Sequence, residues 1–293
     1  MKIIPGPASS NLGTRIGSLL GASVVNMEYK HFPDGELYIR FADDISDEDV
    51  VIVQTTGPPQ DSNFLHLLLL IDAARDLGAK AIIVVVPYVA YGRQETRYRA
   101  GEAISSDTVF KLIRKLGIDL FITINFHNPK LLEGINNNFM NLSAMPSLAN
   151  YMKKYNLSNV FSLAPDDGAL EFVKVTSRIL GGNYGWLEKN RNKVTGEVNF
   201  KLEMFDVKGK DAIVFDDIIS TGSTMIYAVK ALKEQGARRV YAACVHPLLI
   251  GDAGGRILQG GALEIIGTDS VQSPASVVSV APLIAEALKK WRG

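Results

Sequence analysis

Short apolar runs alternate with longer amphipathic segments along almost the whole chain. Runs such as Ala81–Pro87 and Leu120–Ile124 are rich in β-branched residues and carry no charge, which is typical of strands buried on both faces of a sheet. The segments Phe64–Leu77 and Ser105–Leu116 have the spacing and length of helices. This alternation favours right-handed βαβ units, and we predict an α/β fold of mainly parallel sheets flanked by helices.

Two distant segments of the chain resemble each other. DLGAKAIIVVVPY (76–88) and EQGARRVYAACVHPLL (234–249) each combine a helix end, a Gly-Ala pair with a basic residue, and a buried strand that ends near proline. Chance similarity between α/β segments is the alternative. As an internal repeat, the similarity predicts two similar domains, 1–145 and 146–293, with a boundary near residues 141–147, where Pro146 and Ser147 can start a helix.

The composition of the chain argues against nucleic-acid and membrane partners. A length of 293 residues with 47% hydrophobic residues suits two domains, and the formal net charge of zero provides no basic field for a nucleic acid. Prolines interrupt the N-terminal MKIIPGPASS, and the apolar runs are too short to span a bilayer, so we expect neither a signal peptide nor a membrane partner. The single cysteine, Cys244, excludes an intramolecular disulfide and fits a small core residue of a soluble, cytoplasmic protein.

The segment AIVFDDIISTGST, residues 212–224, carries the strongest indication of chemistry. It predicts a buried strand over 212–215 closed by two carboxylates, then a polar turn, then a helix over 225–235. The N-terminus of a helix presents unpaired N–H groups and the positive end of a dipole, and glycine permits close approach of the backbone, so the turn suits a phosphate monoester. The phosphate-binding candidates are Ser220, Thr221, Gly222, Ser223 and Thr224.

The acidic pair before the turn makes the prediction more specific. Asp216 and Asp217 could accept hydrogen bonds from a diol, directly or through a metal ion. A phosphate at one end and vicinal hydroxyls at the other describe a pentose 5-phosphate. The alternative is a cluster of capping residues on an ordinary strand-to-helix turn.

Two motifs in the first half suit a nucleotide. In HFPDGELYIR (31–40), Phe32 can stack on a purine while Asp34 or Glu36 accepts its exocyclic amine, although Pro-Asp-Gly alone indicates only a turn. In YVAYGRQETRYR (88–99), Arg93 and Gln94 stand among several guanidinium groups that suit a polyphosphate. A solvated charged loop is the alternative there.

Further polar residues follow predicted strands. His127, in NFHNPK, is placed for a ligand or supporting role, whereas His66 and His246 look structural and nothing assigns a role to His31. Asp166, in LAPDDGA, offers hard oxygen donors that suit Mg²⁺, with a Pro-Asp-Asp-Gly turn as the competing interpretation.

The polar segment LEKNRNKVTG (187–196) precedes a predicted strand over 198–204. A solvated β-hairpin tip is one interpretation of it. The other is a mobile cationic loop that closes over a reacting phosphate, with Lys189 and Arg191 as the catalytic candidates.

Taken in order, the motifs FPDGE, YGRQE, FHNP, PDDGA, EKNR and DDIISTGST resemble the ribose-phosphate diphosphokinases, which make 5-phosphoribosyl 1-diphosphate. The resemblance spans residues 1–266, whereas simple phosphoribosyltransferases share only the last motif. It implies phosphoribosyltransferase-like domains, ATP and ribose 5-phosphate as substrates, and Mg²⁺ as the cofactor.

The resemblance also implies a role for each motif residue. In this family the adenine pocket is completed by a neighbouring subunit, so a homo-oligomer of at least two chains is implied. By motif, the adenine contacts are Phe32, Asp34 and Glu36; the other ATP contacts Arg93, Gln94 and His127; the metal-linked residues His127 and Asp166; the catalytic residues Lys189 and Arg191; and the ribose 5-phosphate residues Asp216, Asp217 and Ser220 to Thr224.

Two residues depart from the family pattern. Asn125 stands where an acid is usual two residues before the histidine, and Glu95 stands where aspartate is common after Arg-Gln. Both affect the predicted metal and polyphosphate region. A phosphoribosyltransferase acting on a nucleobase and a catalytically silent regulatory relative are the alternative functions.

Overall fold

The computed structural model of the chain describes residues 1–134, 138–191, 198–200 and 204–292. Their contacts divide them into two compact units, and the chain first passes from one to the other between Ser143 and Ala144. Two later segments, Ser270–Gln272 and the residues from Ser279 onward, return to the first unit. In the described part of the chain, no helix combines the length and apolar character needed to cross a membrane.

The first unit is built on a six-stranded sheet in which every strand pair is parallel. Its central strands consist almost entirely of buried Val and Ile residues, as expected for a sheet covered on both faces. In sheet order the strands are β2 (Ser23–Val24), β1 (Lys2–Pro5), β5 (Asp49–Val53), β6 (Ala81–Val86), β7 (Leu120–Ile124) and β8 (Phe139–Leu142).

Helices and a separate two-stranded ribbon complete the first unit. The ribbon is antiparallel and pairs β3 (Met27–His31) with β4 (Leu37–Phe41). The helices are α1 (Ser10–Leu20), α2 (Gln60–Asp76), α3 (Ser105–Lys115) and, from the end of the chain, α8 (Ala281–Arg292).

The second unit repeats this arrangement. Its six-stranded sheet is also parallel throughout, and it also has a separate antiparallel ribbon, β11 (Lys189–Arg191) with β12 (Val198–Phe200). In sheet order the strands are β10 (Asn183–Trp186), β9 (Phe161–Ala164), β13 (Asp211–Ile219), β14 (Arg239–Pro247), β15 (Ile265–Thr268) and β16 (Ser276–Val278), and the helices are α4 (Met145–Met152), α5 (Leu170–Leu180), α6 (Ser223–Glu234) and α7 (Ala253–Gln259).

The order of elements supports the repeat predicted from sequence. In each unit the first strand lies second in the sheet, the second strand is at the edge, and the ribbon is inserted before the chain continues on the other side. The two similar segments form β6 and β14, which are both fourth in sheet order and both follow a helix, α2 or α6. The predicted α/β fold with two mainly parallel sheets flanked by helices is confirmed.

The C-terminal helix does not follow the predicted division. The sequence assigns 146–293 to a second domain, whereas α8 packs against α1 in the first unit. The reason is apolar burial, since Ile284 and Leu288 are fully buried there.

Candidate active site

The predicted phosphate turn connects the central strand β13 to helix α6 in the second unit. Gly222 begins the helix at φ +78°, a left-handed conformation that glycine adopts without the cost imposed by a side chain. A Cβ at this position would lie 3.2 Å from Cδ1 of Ile257 and 3.4 Å from Cβ of Ala253, so α7 packs tightly behind the turn. The turn therefore requires glycine for both backbone conformation and space.

The turn faces solvent with hydroxyl groups around the start of α6. Thr221 and Ser223 are exposed, their hydroxyl oxygens are 3.4 Å apart, and Ser220 and Thr224 are half-buried beside them. The first N–H groups of any α-helix have no acceptor within the helix, and the helix dipole favours negative charge there. The arrangement is suited to an anion with several oxygen acceptors, such as a phosphate.

Arg256 holds this turn from behind, and no sequence motif identified it. Arg256, on α7, donates from Nη2 to the carbonyl oxygen of Thr221 at 2.8 Å, and the amide of Ile250 donates to the carbonyl of Ser220 at 3.0 Å. These bonds fix two carbonyl groups of the turn. The segment IGDAGGRI is visible in the sequence, but its packing behind residues 220–222 is a tertiary contact that no local pattern specifies.

Three carboxylates gather near the carboxyl end of the second sheet. β13 continues through Asp216 and Asp217 to Ile219, so the acidic pair lies within the strand and does not close it after Phe215 as predicted. Asp166 follows the neighbouring strand β9 and accepts a hydrogen bond from the Gly168 amide at 3.1 Å. Burial and the charges of Asp217 and Asp166 raise the pKa of the Asp216 carboxyl well above its ordinary value.

Carboxylate oxygens are the ligands that Mg²⁺ prefers, so the side chain of Asp166 has the chemistry that the predicted ion requires. His127, the other predicted metal residue, lies in the first unit and offers an imidazole nitrogen, which suits Mg²⁺ less well. Among the described residues, no group of three or more His, Cys, Asp or Glu is placed to hold a metal ion.

The two predicted catalytic residues lie on one short strand. Lys189 and Arg191 are the ends of β11, and their register partners on β12 are Phe200 and Val198. The antiparallel pairing agrees with the predicted hairpin. Residues 192–196 of the predicted loop, residue 197, and residues 201–203 of the strand predicted after it lie outside the described residues.

Among the predicted ATP contacts, Phe32, Asp34 and Glu36 lie at the tip of the first-unit ribbon. The amide of Phe32 donates to the carbonyl of Glu36 at 2.8 Å, and the amide of Glu36 donates to the Asp34 carboxylate at 3.2 Å. The Phe32 residue is 43% exposed. An aromatic side chain held this far into solvent at a defined turn is available to stack on a flat ligand.

The predicted polyphosphate contacts Arg93 and Gln94 follow β6, and their loop is organised by Glu102. The Gln94 side chain donates to the Glu102 carboxylate at 3.2 Å, and the amides of Tyr98 and Arg99 donate to the same carboxylate at 2.8 and 3.1 Å. Backbone bonds from Arg99 and Tyr98 lower the pKa of Glu102, in that order. Sequence analysis assigned no role to Glu102, although it keeps Gln94 in place and leaves Arg93 exposed.

His127 follows the end of β7, the strand next to β6, and lies close to the loop that carries Arg93. It is exposed, and it follows β7, which pairs with β6, so the two loops leave the same edge of the sheet. Asn128 donates from Nδ2 to the Glu95 carboxylate at 2.7 Å and ties the loops together. Asn125 adopts φ +43°, in the left-handed region that asparagine tolerates better than most residues.

The turn of the first unit that corresponds to the phosphate turn has a different character. After β5, the residues Gln54, Thr55 and Thr56 are buried, and Thr56 donates from Oγ1 to the Tyr88 carbonyl at 3.0 Å while accepting from the Ala90 amide at 2.8 Å. The Pro58-Pro59 pair before α2 removes two N–H donors. Of these two corresponding turns in the described part of the chain, the candidate phosphate cradle is therefore the one in the second unit.

The predicted residues thus form separate groups within the two units. In the second unit, Asp166 and the acidic pair lie near the carboxyl end of the sheet, and the acidic pair leads into the candidate phosphate turn. In the first unit, Arg93, Gln94 and His127 share one sheet edge, and the adenine candidates occupy the ribbon tip.

Comparisons with known proteins agree over the whole chain. Residues 1–117 match the N-terminal domain of ribose phosphate pyrophosphokinase, and residues 141–257 match the phosphoribosyl transferase domain. A ribose-phosphate pyrophosphokinase of Methanosarcina acetivorans is 42% identical over 99% of this chain and 100% of its own length. One from Sulfurisphaera tokodaii is 38% identical over 97% of this chain and 99% of its own.

The fold of the chain also agrees with that of a solved structure. The crystal structure of phosphoribosylpyrophosphate synthetase from Mycobacterium smegmatis superimposes with a TM-score of 0.86 at 27% identity, covering 100% of this chain and 98% of that one. With two matched domains, full-length relatives and a full-length structural match, this chain belongs to the ribose-phosphate pyrophosphokinase family.

Proposed function

We propose that the protein transfers the diphosphoryl group of ATP to the anomeric hydroxyl of ribose 5-phosphate, forming 5-phosphoribosyl 1-diphosphate and AMP. The hydroxyl oxygen attacks the β-phosphorus, the bond from that phosphorus to the α-phosphate oxygen breaks, and AMP leaves with that oxygen. The product supplies an activated pentose for nucleotide biosynthesis. The chain belongs to the ribose-phosphate pyrophosphokinase family and matches relatives over its full length, which supports the proposal.

The observation that carries the proposal is the phosphate turn beside the acidic strand end. Gly222 and the start of α6 provide the anion cradle, and Asp216 and Asp217 lie on the strand that leads into it. We assign the 5-phosphate to residues 220–224 and the ribose hydroxyls to the carboxylates.

The nucleotide is assigned to the first unit. Phe32 would stack on adenine while Asp34 or Glu36 accepts from its amine, and Arg93, Gln94 and His127 would contact the phosphates. The exposed Arg93 and the Glu102-bound Gln94 side chain support this assignment. Phosphoryl transfer requires mainly alignment and charge stabilisation, so side chains that hold and orient phosphates are sufficient.

Lys189 and Arg191 are assigned to the charge that develops on the transferred group. Both residues are cationic, so both can contribute positive charge to one phosphate group. Positive charge that is already in place beside the reacting phosphate stabilises the transition state.

Mg²⁺, when bound, would neutralise negative charge on the phosphates. Asp166 is the candidate residue for it in the second unit, and His127 is the candidate in the first unit.

We further propose a homo-oligomer of at least two chains, a cytoplasmic location, and domains near the predicted bounds with α8 added to the first. The exposed ring of Phe32 at the ribbon tip supports completion of the adenine pocket by a neighbouring subunit. The single, fully buried cysteine fits a reducing compartment.

The test is AMP formation by the purified protein with ATP and Mg²⁺, with and without ribose 5-phosphate, and with the sugar product identified by mass. AMP that depends on the sugar, together with a sugar heavier by a diphosphoryl group, is expected. Binding of ribose 5-phosphate without any AMP would contradict the proposal. Diphosphate release from 5-phosphoribosyl 1-diphosphate and a nucleobase, or capture of an active synthetase by an inactive chain, would then identify the alternative.

A further inference from the structure

A cluster of two histidines and a tyrosine lies outside the proposed active site. Tyr29 and His31 are on strand β3 of the ribbon, where alternate residues share a face, and His66 is on helix α2 opposite them. The rings are close, with centroids 5.3 Å apart for Tyr29 with His31, 5.3 Å for Tyr29 with His66, and 6.2 Å for the two histidines. The sequence analysis assigned no role to His31 and a structural one to His66.

The spacing of the polar atoms differs from that of a hydrogen-bonded cluster. The Tyr29 hydroxyl oxygen is 3.5 Å from Nε2 of His31 and 3.5 Å from Nε2 of His66. Good hydrogen bonds from a hydroxyl are about 2.7–3.0 Å long, so both contacts are too long to be strong ones. In a tetrahedral site with metal–ligand bonds of about 2.0–2.1 Å, two ligands are roughly 3.4 Å apart.

His66 is left under-satisfied by the protein itself. The residue is 4% exposed, and its Nδ1 has no hydrogen-bond partner among the described residues. The ring nitrogen of His66 that faces the Tyr29 hydroxyl is Nε2, and this is the nitrogen available to a cation in the cluster.

We propose that Tyr29, His31 and His66 form a binding site for a transition-metal cation of the Zn²⁺ type. Imidazole nitrogens suit Zn²⁺, Cu²⁺ and Ni²⁺, and a phenol oxygen with water can complete four-coordination. Entry is open, because Tyr29 is 39% exposed and His31 is exposed. A bound ion would add a link between the ribbon and helix α2, which already packs against β4.

The test is a calorimetric titration of chelator-treated protein with Zn²⁺ in the absence of nucleotide and sugar phosphate. One ion per chain is expected. His31→Gln and Tyr29→Phe change exposed side chains. His31→Gln should weaken binding more than about tenfold, since losing even a group that supports a ligand costs about 10–100-fold. His66→Ala is avoided as the main variant because it removes a buried side chain.

The matched control is Tyr184→Phe, which removes the hydroxyl of a similarly exposed tyrosine in the second unit and should leave this binding unchanged. Zn²⁺ should also raise Tm in the wild type but not in His31→Gln, because an ion that binds only the folded state stabilises it. Absence of stoichiometric binding, or binding that His31→Gln leaves unchanged, would overturn the site. Because no substrate is present, the result is independent of the proposed function.

Discussion

Asp211 is a fully buried carboxylate at the start of the central strand of the second unit. Arg238 donates to it at 2.9 and 2.6 Å, Arg239 at 3.0 and 2.6 Å, and the Ser158 amide at 2.8 Å. Burial alone would raise the pKa of Asp211, but the hydrogen bonds from Arg239 and Arg238 outweigh it and hold the pKa well below the ordinary range. The charge is therefore stabilising only while both arginines remain paired with it.

Asp211→Asn should lower the free energy of unfolding by about 3 kcal/mol at pH 7, the lower end of the cost of breaking a buried ion pair, since Arg238 is half exposed. Chemical denaturation measures the change. The control Asp206→Asn breaks an exposed pair with Lys210 and should cost less than about 1 kcal/mol. Equal effects of the two substitutions would contradict this account.

The depressed pKa of Asp211 also makes the free energy of unfolding depend on pH. A carboxylate whose folded pKa is depressed contributes stability above its unfolded pKa of about 3.9 and loses that contribution as the pH falls toward the folded value. The stability difference between wild type and Asp211→Asn should thus be constant near neutral pH and shrink below about pH 4. A difference that persists undiminished at the lowest pH at which the wild type is folded would be evidence against the ion pair as its source.

Lys189→Ala should reduce kcat about 10²- to 10³-fold, or roughly 2.7–4 kcal/mol, the scale for one preorganised electrostatic donor. Steady-state kinetics with ATP and ribose 5-phosphate measure it. Lys230→Ala, which removes an exposed lysine from α6, serves as the control. Near-normal kcat in the Lys189 variant would remove this residue from the catalytic assignment.

The residues that can be predicted from sequence are those whose neighbours along the chain form a pattern with them. Ser220 to Thr224 and the acidic pair are contiguous, so their pattern is visible without a structure. Arg256, Glu102 and Asn128 act through hydrogen bonds to residues 35, 8 and 33 positions away. Partners of this kind are set by packing, which a single sequence does not display.

At the scale of elements, the phosphate turn depends on how α7 packs behind α6. Gly222→Ala combines a left-handed backbone with a Cβ close to Ile257. We expect KM for ribose 5-phosphate to rise about 5- to 30-fold, the equivalent of the 1–2 kcal/mol that an L-residue costs in this conformation, with little change for ATP.

Gly209→Ala is the matched control for that variant. Gly209 has a similar φ of +74°, but a Cβ there would meet nothing within 4 Å. It should lose a similar amount of stability in denaturation while KM for ribose 5-phosphate stays unchanged. A Gly222 variant with normal kinetics would show that the turn does not hold the phosphate.

Element boundaries were mostly visible in the sequence. β7 matches its prediction, and α3 and β6 each end one residue before the predicted end. β13 runs four residues further than predicted, because its last residues pair with β14 up to Pro247 despite their carboxylates. A charged pair is typical of a strand end in isolation, whereas a neighbouring strand can extend the ladder through it.

At the scale of the whole molecule, the C-terminal helix stabilises the unit that the N-terminus begins. Leu288→Ala on α8 should lower the free energy of unfolding by about 2–5 kcal/mol, because the side chain is fully buried. Hydrogen exchange should accelerate in α1, its packing partner.

Leu263→Ala, at a residue that is 59% exposed in the second unit, should change stability by about 0.5 kcal/mol or less. If Leu288→Ala instead accelerated exchange in the second sheet and left α1 protected, the helix would have been assigned to the wrong unit.

The sequence predicted two copies of one α/β fold because the repeat and the alternation of elements are both local patterns. It did not predict where α8 packs. An amphipathic helix specifies that one face is buried, and it carries no information about which of two similar cores receives it.

The return of α8 has a consequence for synthesis on the ribosome. Domains of many proteins fold in the order in which they are made. Here the first unit is begun first, yet it lacks helix α8 until residues 281–292 have emerged. The second unit can complete its sheet earlier, so the half begun first is the half finished last.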